Sequence, residues 1–297
     1  QQRLVTAEDY KAIIQQRFTQ LLDAVAAWGG EDNVPAIFGR VYLSLDFKDN
    51  ISSAVQTNTK NTIQNVISPN LGVMSIDVEF VDPVDTFIQI AVKFDFDPEL
   101  TNKTLDATQE DIRAAVNTFF TDNLGTFDKT FRQSALLTVI DAVSPAVLNS
   151  SITVKAQRRF TPTLNTTANY TIDFPMAIAA PDDVNRILES TNFTFGGNTC
   201  ILRNRLSSNA IEVFDTVNAT VLQDNVGSYN QATGVVTLTG FGGTLSAFAG
   251  DSIQIAVTPA NSQTIKPLRN YILSLDLAKT SAAGTVDFQN TTTSLTT

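Results

Sequence analysis

The sequence predicts a mixed α+β fold. An N-terminal helix comes first, then a split βαβ-type sheet domain with helices on one face over residues 34–162. A β-rich domain with one short helix follows over residues 163–297. Three observations carry this. Apolar residues in the first segment recur at helical spacing. Residues 34–160 read in the order β-α-β-β-α-α-β. Beyond Thr161 the helical periodicity fades and short alternating runs separated by turn residues take over.

The first element opens at Arg3-Leu4-Val5-Thr6-Ala7-Glu8-Asp9-Tyr10. Thr6 stands where an N-cap hydroxyl accepts a backbone N–H, and Asp9 where the reciprocal member of a capping box belongs. Glu8 and Asp9 put negative charge on the positive end of the helix dipole. Tyr10, Ile14, Phe18, Leu21, Val25 and Trp28 then share one helical face, and Gly29-Gly30 is the stop. The spacing predicts one helix over the whole stretch to residue 28.

Strand alternation follows at Val41, Leu43, Leu45 and Phe47. A helical patch lies near 58–67, ended by Ser68-Pro69. Met74, Ile76, Val78 and Phe80 alternate, Asp82-Pro83-Val84-Asp85 supplies turn residues, and Ile88, Ile90, Val92, Phe94 and Phe96 return, which predicts a hairpin. A helix is expected from Thr108, where Thr108-Gln109-Glu110-Asp111 repeats the capping pattern. Its buried face is Ile112, Val116, Phe119 and Phe120. Another is expected from about Thr130 to Ser144-Pro145, and Ile152–Ala156 reads as a strand.

Thr161–Thr167, polar and carrying a proline, reads as a linker. Pro181-Asp182-Asp183 predicts a short helix with proline at its first position and acid at its N-terminus. Strands are expected after the Ser228–Gly234 turn, over 252–258 and over 271–277. The Thr-rich tail from Gln289 reads as frayed.

Composition removes several kinds of chemistry. The net charge is −10 and the densest basic stretch is Lys155-Ala156-Gln157-Arg158-Arg159, so nucleic acid is not an expected partner. No apolar run is long enough to span a bilayer as a helix, so no membrane partner is expected either. The sequence contains no histidine, which removes Ser-His-Asp and Cys-His machines and the common zinc sites. The lone Cys200 cannot form an intrachain disulfide and reads as a small buried hydrophobe. Gly240-Phe241-Gly242-Gly243 lacks the Lys-Ser/Thr of a phosphate-binding loop. Its flanking aromatics, Phe241 and Phe248, make it a candidate contact loop. Asp95, Asp97 and Glu99 fall on one face of a strand end but in no cation-loop spacing, and Asp82 and Asp85 read as turn formers. No catalytic residue, cofactor site or metal site is assigned. The sequons at Asn165, Asn169, Asn192 and Asn218 fit a chain rich in Asn and Thr. The start at Gln1-Gln2 without Met reads as a fragment whose upstream region is missing.

Arg3–Tyr10 and its helix resemble a segment of baseplate wedge proteins of contractile-tailed, T-even-type bacteriophages, the baseplate J-like family. The acidic balance, the βα alternation and the β-rich second half resemble the C-terminal portion of such proteins. The resemblance implies a structural subunit with no reaction and no cofactor. It would self-associate as a homodimer or through ring contacts, join other baseplate wedge proteins around the tail hub, and reside in the virion after assembly in the host cytoplasm. A different class stays open on the residues: a carbohydrate- or receptor-binding β-module of a viral or bacterial surface protein, carried by residues 165–297. A carboxylate-dependent glycosidase would need two carboxyl groups facing each other across a cleft.

Overall fold

The computed structural model describes residues 3–33, 35–73 and 76–288. They form two compact units. The first comprises residues 1–85, 125–129 and 267–272, the second 86–124, 130–266 and 273–297. The architecture is α+β, with one sheet dominating the second unit.

The first unit contains α1 (Ala7–Arg17), β1 (Leu22–Gly29), β2 (Arg40–Phe47), α2 (Ser53–Thr62), α3 (Ser68–Leu71) and β3 (Asp77–Phe80). Helix α1 ends eleven residues before Trp28, which corrects the expectation of one long helix. Leu21 and Leu22 both donate to the Phe18 carbonyl, closing the helix with a turn. Residues 22–29 then pair antiparallel with β2, with a bulge at Asp23. Pairing overrides the helix propensity of the alanines because both faces of β1 are covered. Leu22 and Val25 enter one cluster with Tyr10, Ile14, Leu43 and Ile63. Ala26 and Trp28 enter another with Tyr42, Phe127 and Ile272. Trp28 stacks on Tyr42 with ring centroids 5.7 Å apart. Gly30 is required after β1, since a Cβ there would lie 1.9 Å from the Ile37 carbonyl oxygen.

Strands β2 and β3 pair parallel, and the connection between them is helical. Helix α2 runs through a π-helical turn at Ile63–Ile67 into α3. The expected patch near 58–67 is the middle of this stretch. Met74 of the expected β3 alternation lies outside the described residues.

The second unit contains β4 (Val84–Phe96), α4 (Leu105–Asn123), β5 (Phe131–Arg132), α5 (Gln133–Asp141) and β6 (Val147–Phe160). Strands β7 (Ala168–Asp173), β8 (Leu188–Ser190), β9 (Phe193–Phe195), β10 (Asn198–Asn204), β11 (Ala210–Asp215) and β12 (Thr220–Tyr229) follow. The last are β13 (Val235–Phe241), β14 (Leu245–Phe248), β15 (Ile253–Val257), β16 (Thr264–Ile265), β17 (Tyr271–Leu275) and β18 (Ser281–Val286). The main sheet has the order β17-β4-β6-β15-β8-β10-β11-β12-β13-β7, with β18 parallel on β4 and β9 joining β10 to β14.

The predicted hairpin of β3 and β4 is not formed. Strand β3 pairs with β2, whereas β4 pairs with β6 in the large sheet. Asp82-Pro83 is therefore a crossing between two sheets. Strand β4 buries every second residue, Ile88, Ile90, Val92, Phe94 and Phe96, against Ile112, Val116 and Phe120 of α4 and Leu136 and Ile140 of α5. The α4 cap is Thr104, which accepts from the Ala107 N–H at 3.2 Å, not Thr108. Thr108 is buried, and its hydroxyl donates to the Thr104 carbonyl. Gly284 lets β18 pass beneath this helix, because a Cβ there would meet Leu105 Cδ1 at 2.5 Å.

Thr161–Thr167, read as a linker, is a turn within the second unit, with Asn165 donating to the Leu245 carbonyl. Residues 181–187 form no helix. Asp182 instead accepts from the Val184 and Asn185 backbone N–H groups, so an Asx turn takes up the acid that was read as helix N-terminal charge. The tail from Gln289 lies outside the described residues.

Candidate functional site

At the N-terminus the Asp9 N–H donates to Thr6 Oγ1 at 3.2 Å and the Thr6 N–H donates to Asp9 Oδ2 at 2.9 Å. Backbone and hydroxyl donation from Thr6 holds the Asp9 carboxyl below its ordinary value. This chemistry is consumed locally by the helix start.

The aromatics of the candidate contact loop are placed unequally. Phe241 is fully buried at the end of β13. Its ring lies 5.7 Å from Phe193, 6.2 Å from Phe195, 6.3 Å from Tyr170 and 6.4 Å from Phe160, centroid to centroid. The side chain read as a contact is thus the centre of an aromatic core, because the register shift between Leu238 and Phe241 turns it inward. Phe248 is half-buried and packs on the same core through the β14–β9 pairing. The exposed members of Gly240–Gly250 are small or polar: Gly243, Thr244, Ser246, Ala247, Ala249 and Gly250.

The carboxylates singled out in the sequence are separated in role. Asp97 is buried and caps the turn after β4 by accepting from the Glu99 N–H at 2.9 Å. Among the described residues no group of three or more Asp, Glu or Cys is placed to hold a metal ion. Cys200 is buried, and burial, with Asp215 adding to it, pushes its thiol above the ordinary value. That disfavours the nucleophilic thiolate.

Three polar arrangements escaped sequence reading. On the first unit, Asp46 is half-buried on β2 and its pKa is pushed up to about 6 by burial, then by Asp23, Asp85 and Asp49. On the second, Glu212 is buried beneath Arg203 Nε at 2.8 Å and Arg205 Nε at 3.5 Å, and Arg205 also pairs with Asp224. Asp215 accepts from the Val217 and Asn218 N–H groups, fixing the β11–β12 turn with Val217 exposed at its tip. Third, the side-chain amide of buried Gln157 donates to Gln254 Oε1 at 2.9 Å and Asp276 Oδ2 at 2.7 Å, on the floor of a cleft of about 450 Å³. The partners lie 97 and 119 residues away in sequence, so no local pattern announces them.

These networks hold turns, bulges and strand faces, so the chemistry they carry is architectural. Comparison with known proteins gives the family. Residues 6–79 match the family described as baseplate structural protein gp6, C-terminal domain I, and residues 85–159 match baseplate structural protein gp6, C-terminal domain III. A segment of 158 residues, 53% of the chain, is 23% identical to baseplate wedge protein gp6 of Enterobacteria phage T4. The matched segment spans 23% of that relative's length. Together the two domain matches place the chain among the baseplate wedge structural proteins of phage virions, at the tail baseplate.

Proposed function

We propose that this chain is a self-associating, non-catalytic subunit of the baseplate wedge. It contacts other wedge proteins, helps to close a ring around the tail hub, and is assembled in the host cytoplasm. The observation that supports this most is a coincidence of boundaries. The two matched domains meet between residues 79 and 85, and the two compact units divide between Asp85 and Thr86. The likeness therefore covers most of the first unit and the opening part of the second, well beyond a short motif. The Arg3–Tyr10 capping segment adds the finer reading, membership of the J-like family.

A ring subunit must offer a surface to a neighbour on each side. On the second unit, the exposed rim of Gly240–Gly250 is the contact segment in this reading. Half-buried Phe248 lies at its edge, and Phe241 anchors it from inside. Sedimentation of the chain alone, and then mixed with candidate wedge proteins, tests the reading. Self-association and a heavier mixed complex are expected. A strictly monomeric chain that joins no wedge protein overturns it.

A further inference from the structure

Strand β4 pairs with β6 along one edge. Along its other edge β17 takes the first stretch and β18 the second, where Ser281–Val286 lie opposite Ala91–Phe96 with no register shift. The Asp287 N–H carries this ladder on by donating to the Phe96 carbonyl. Backbone groups alternate along a strand. Ser281, Ala283 and Thr285 therefore bond to β4 with Asp287, and Ala282, Gly284 and Val286 turn their N–H and C=O outward. Among the described residues the dominant sheet ends here, and at β7 on its far side. Open edges are commonly blunted by charge, proline or a bulge. Strand β7 has a register irregularity against β13 and ends in exposed Asp173. Strand β18, Ser281-Ala282-Ala283-Gly284-Thr285-Val286, has none of the three. Ser281, Ala283, Thr285 and Val286 are exposed.

An edge strand can pair with its own copy, antiparallel about a twofold axis normal to the sheet. Directly opposed residues then lie on the same face, which leaves few registers. With Ala283 on the axis, Ala282 opposes Gly284 of the second copy, and both have outward backbone groups to exchange. In this register Ser281 opposes Thr285, and Lys279 opposes Asp287. Lys279 ends the turn Leu277–Lys279 that leads into β18, and Asp287 follows the strand. Both are exposed. Neither joins an ion pair among the described residues. Moving the pairing by two residues either way sets Asp287 against Leu277 or Ser281 and loses the match. The strand between the two charges is itself neutral, so two chains of net charge −10 can approach along it.

We propose that β18 is a sheet-extension edge occupied by β18 of a second copy of this chain, antiparallel and centred on Ala283, with Lys279 and Asp287 paired twice across the axis. This rests on the self-association put forward above and names a surface for it. The test is sedimentation equilibrium on the whole chain. Lys279→Glu and Asp287→Lys change the net charge in opposite directions, yet each sets like charges opposite one another. Each is expected to raise the dissociation constant at least about fivefold, and the swap Lys279→Glu/Asp287→Lys to return it to within about twofold of wild type. Ala282→Pro removes an outward N–H and leaves the ladder to β4 intact, and is expected to raise the constant at least about tenfold. Thermal melting checks that each variant folds; the charge swap decides if Ala282→Pro does not. Folded charge variants that associate as tightly as wild type overturn the assignment while leaving self-association intact. Single variants that weaken association without rescue by the swap overturn the pairing as well. A wild type that stays monomeric at every concentration overturns the parent reading instead.

Discussion

Arg203 donates from Nε to Glu212 Oε1 at 2.8 Å, directly across the β10–β11 register. Its guanidinium carbon also sits 3.2 Å from the centroid of Phe214. Glu212 is only 5% exposed and also meets Arg205. The pair sits where the β11–β12 register shifts, between Ile211 and Val213, so it braces the sheet at that irregularity.

Removing one partner of a buried pair strands the other charge. Glu212→Ala is expected to destabilise the second unit by about 3 kcal/mol, and Glu212→Gln by less. Replacing both, Arg203→Met with Glu212→Leu, is expected to recover most of the loss, because no charge is then left unpaired. Urea denaturation of wild type, Arg203→Met, Glu212→Leu and the double variant gives the cycle, with Glu212→Ala and Glu212→Gln measured beside it. A Glu212→Ala variant within about 0.5 kcal/mol of wild type would contradict the bracing role.

Thr6→Ala removes one half of the capping box and is expected to cost about 1 kcal/mol. It also removes the hydroxyl that donates to Asp9, so the Asp9 carboxyl should titrate closer to its ordinary value. The sign follows from the depressed folded pKa. The stabilisation by Asp9 is present above the ordinary carboxylate value and is lost as pH falls through the folded one. NMR titration of Asp9 in both proteins reads this. An unchanged Asp9 titration in Thr6→Ala would show that the box does not hold the carboxylate.

The fold was legible where one period ran unbroken. Strand β4 and helix α4 each show their buried face directly as Ile88 to Phe96 and Ile112 to Phe120. It was not legible at 22–29, where Leu22, Val25 and Trp28 fit a helix as well as a bulged strand covered on both faces. Only pairing with β2 decides between them. Nor could Asp82-Pro83 say whether the chain turns back or crosses to another sheet. Phe241 was visible as an aromatic beside glycines, but its direction depends on the register irregularity between Leu238 and Phe241. The Gln157 network joins residues of β6, β15 and the turn after β17, which no local signal links.

Phe241→Ala is expected to cost about 3–5 kcal/mol, because it empties the centre of the ring cluster of Phe160, Tyr170, Phe193 and Phe195. Phe248→Ala, at a half-buried position, should cost less than half as much. If the rim of this segment is a contact, Phe248→Ala also weakens self-association while the isolated chain stays folded. Chemical denaturation and sedimentation together separate the two effects. Equal stability losses at the two positions would contradict the unequal burial.

Asp46 makes the first unit sensitive to pH. Its folded pKa is raised to about 6 by burial and by Asp23, Asp85 and Asp49, above the ordinary value of 3.8. The linkage sign is therefore the reverse of that for Asp9. The group favours the folded state at low pH, and this contribution is lost as pH rises from about 4 through about 6. Solvent reaches the half-buried carboxyl, so the cost at neutral pH is about 1–2 kcal/mol and not the full value of the shift. Asp46→Asn keeps the shape and removes the charge. It is expected to be more stable than wild type at pH 7, to lose that advantage at pH 4, and to flatten the stability profile between them. Denaturation midpoints across this range provide the measurement. A variant whose advantage does not change with pH would show that the Asp46 carboxylate is not the titrating group.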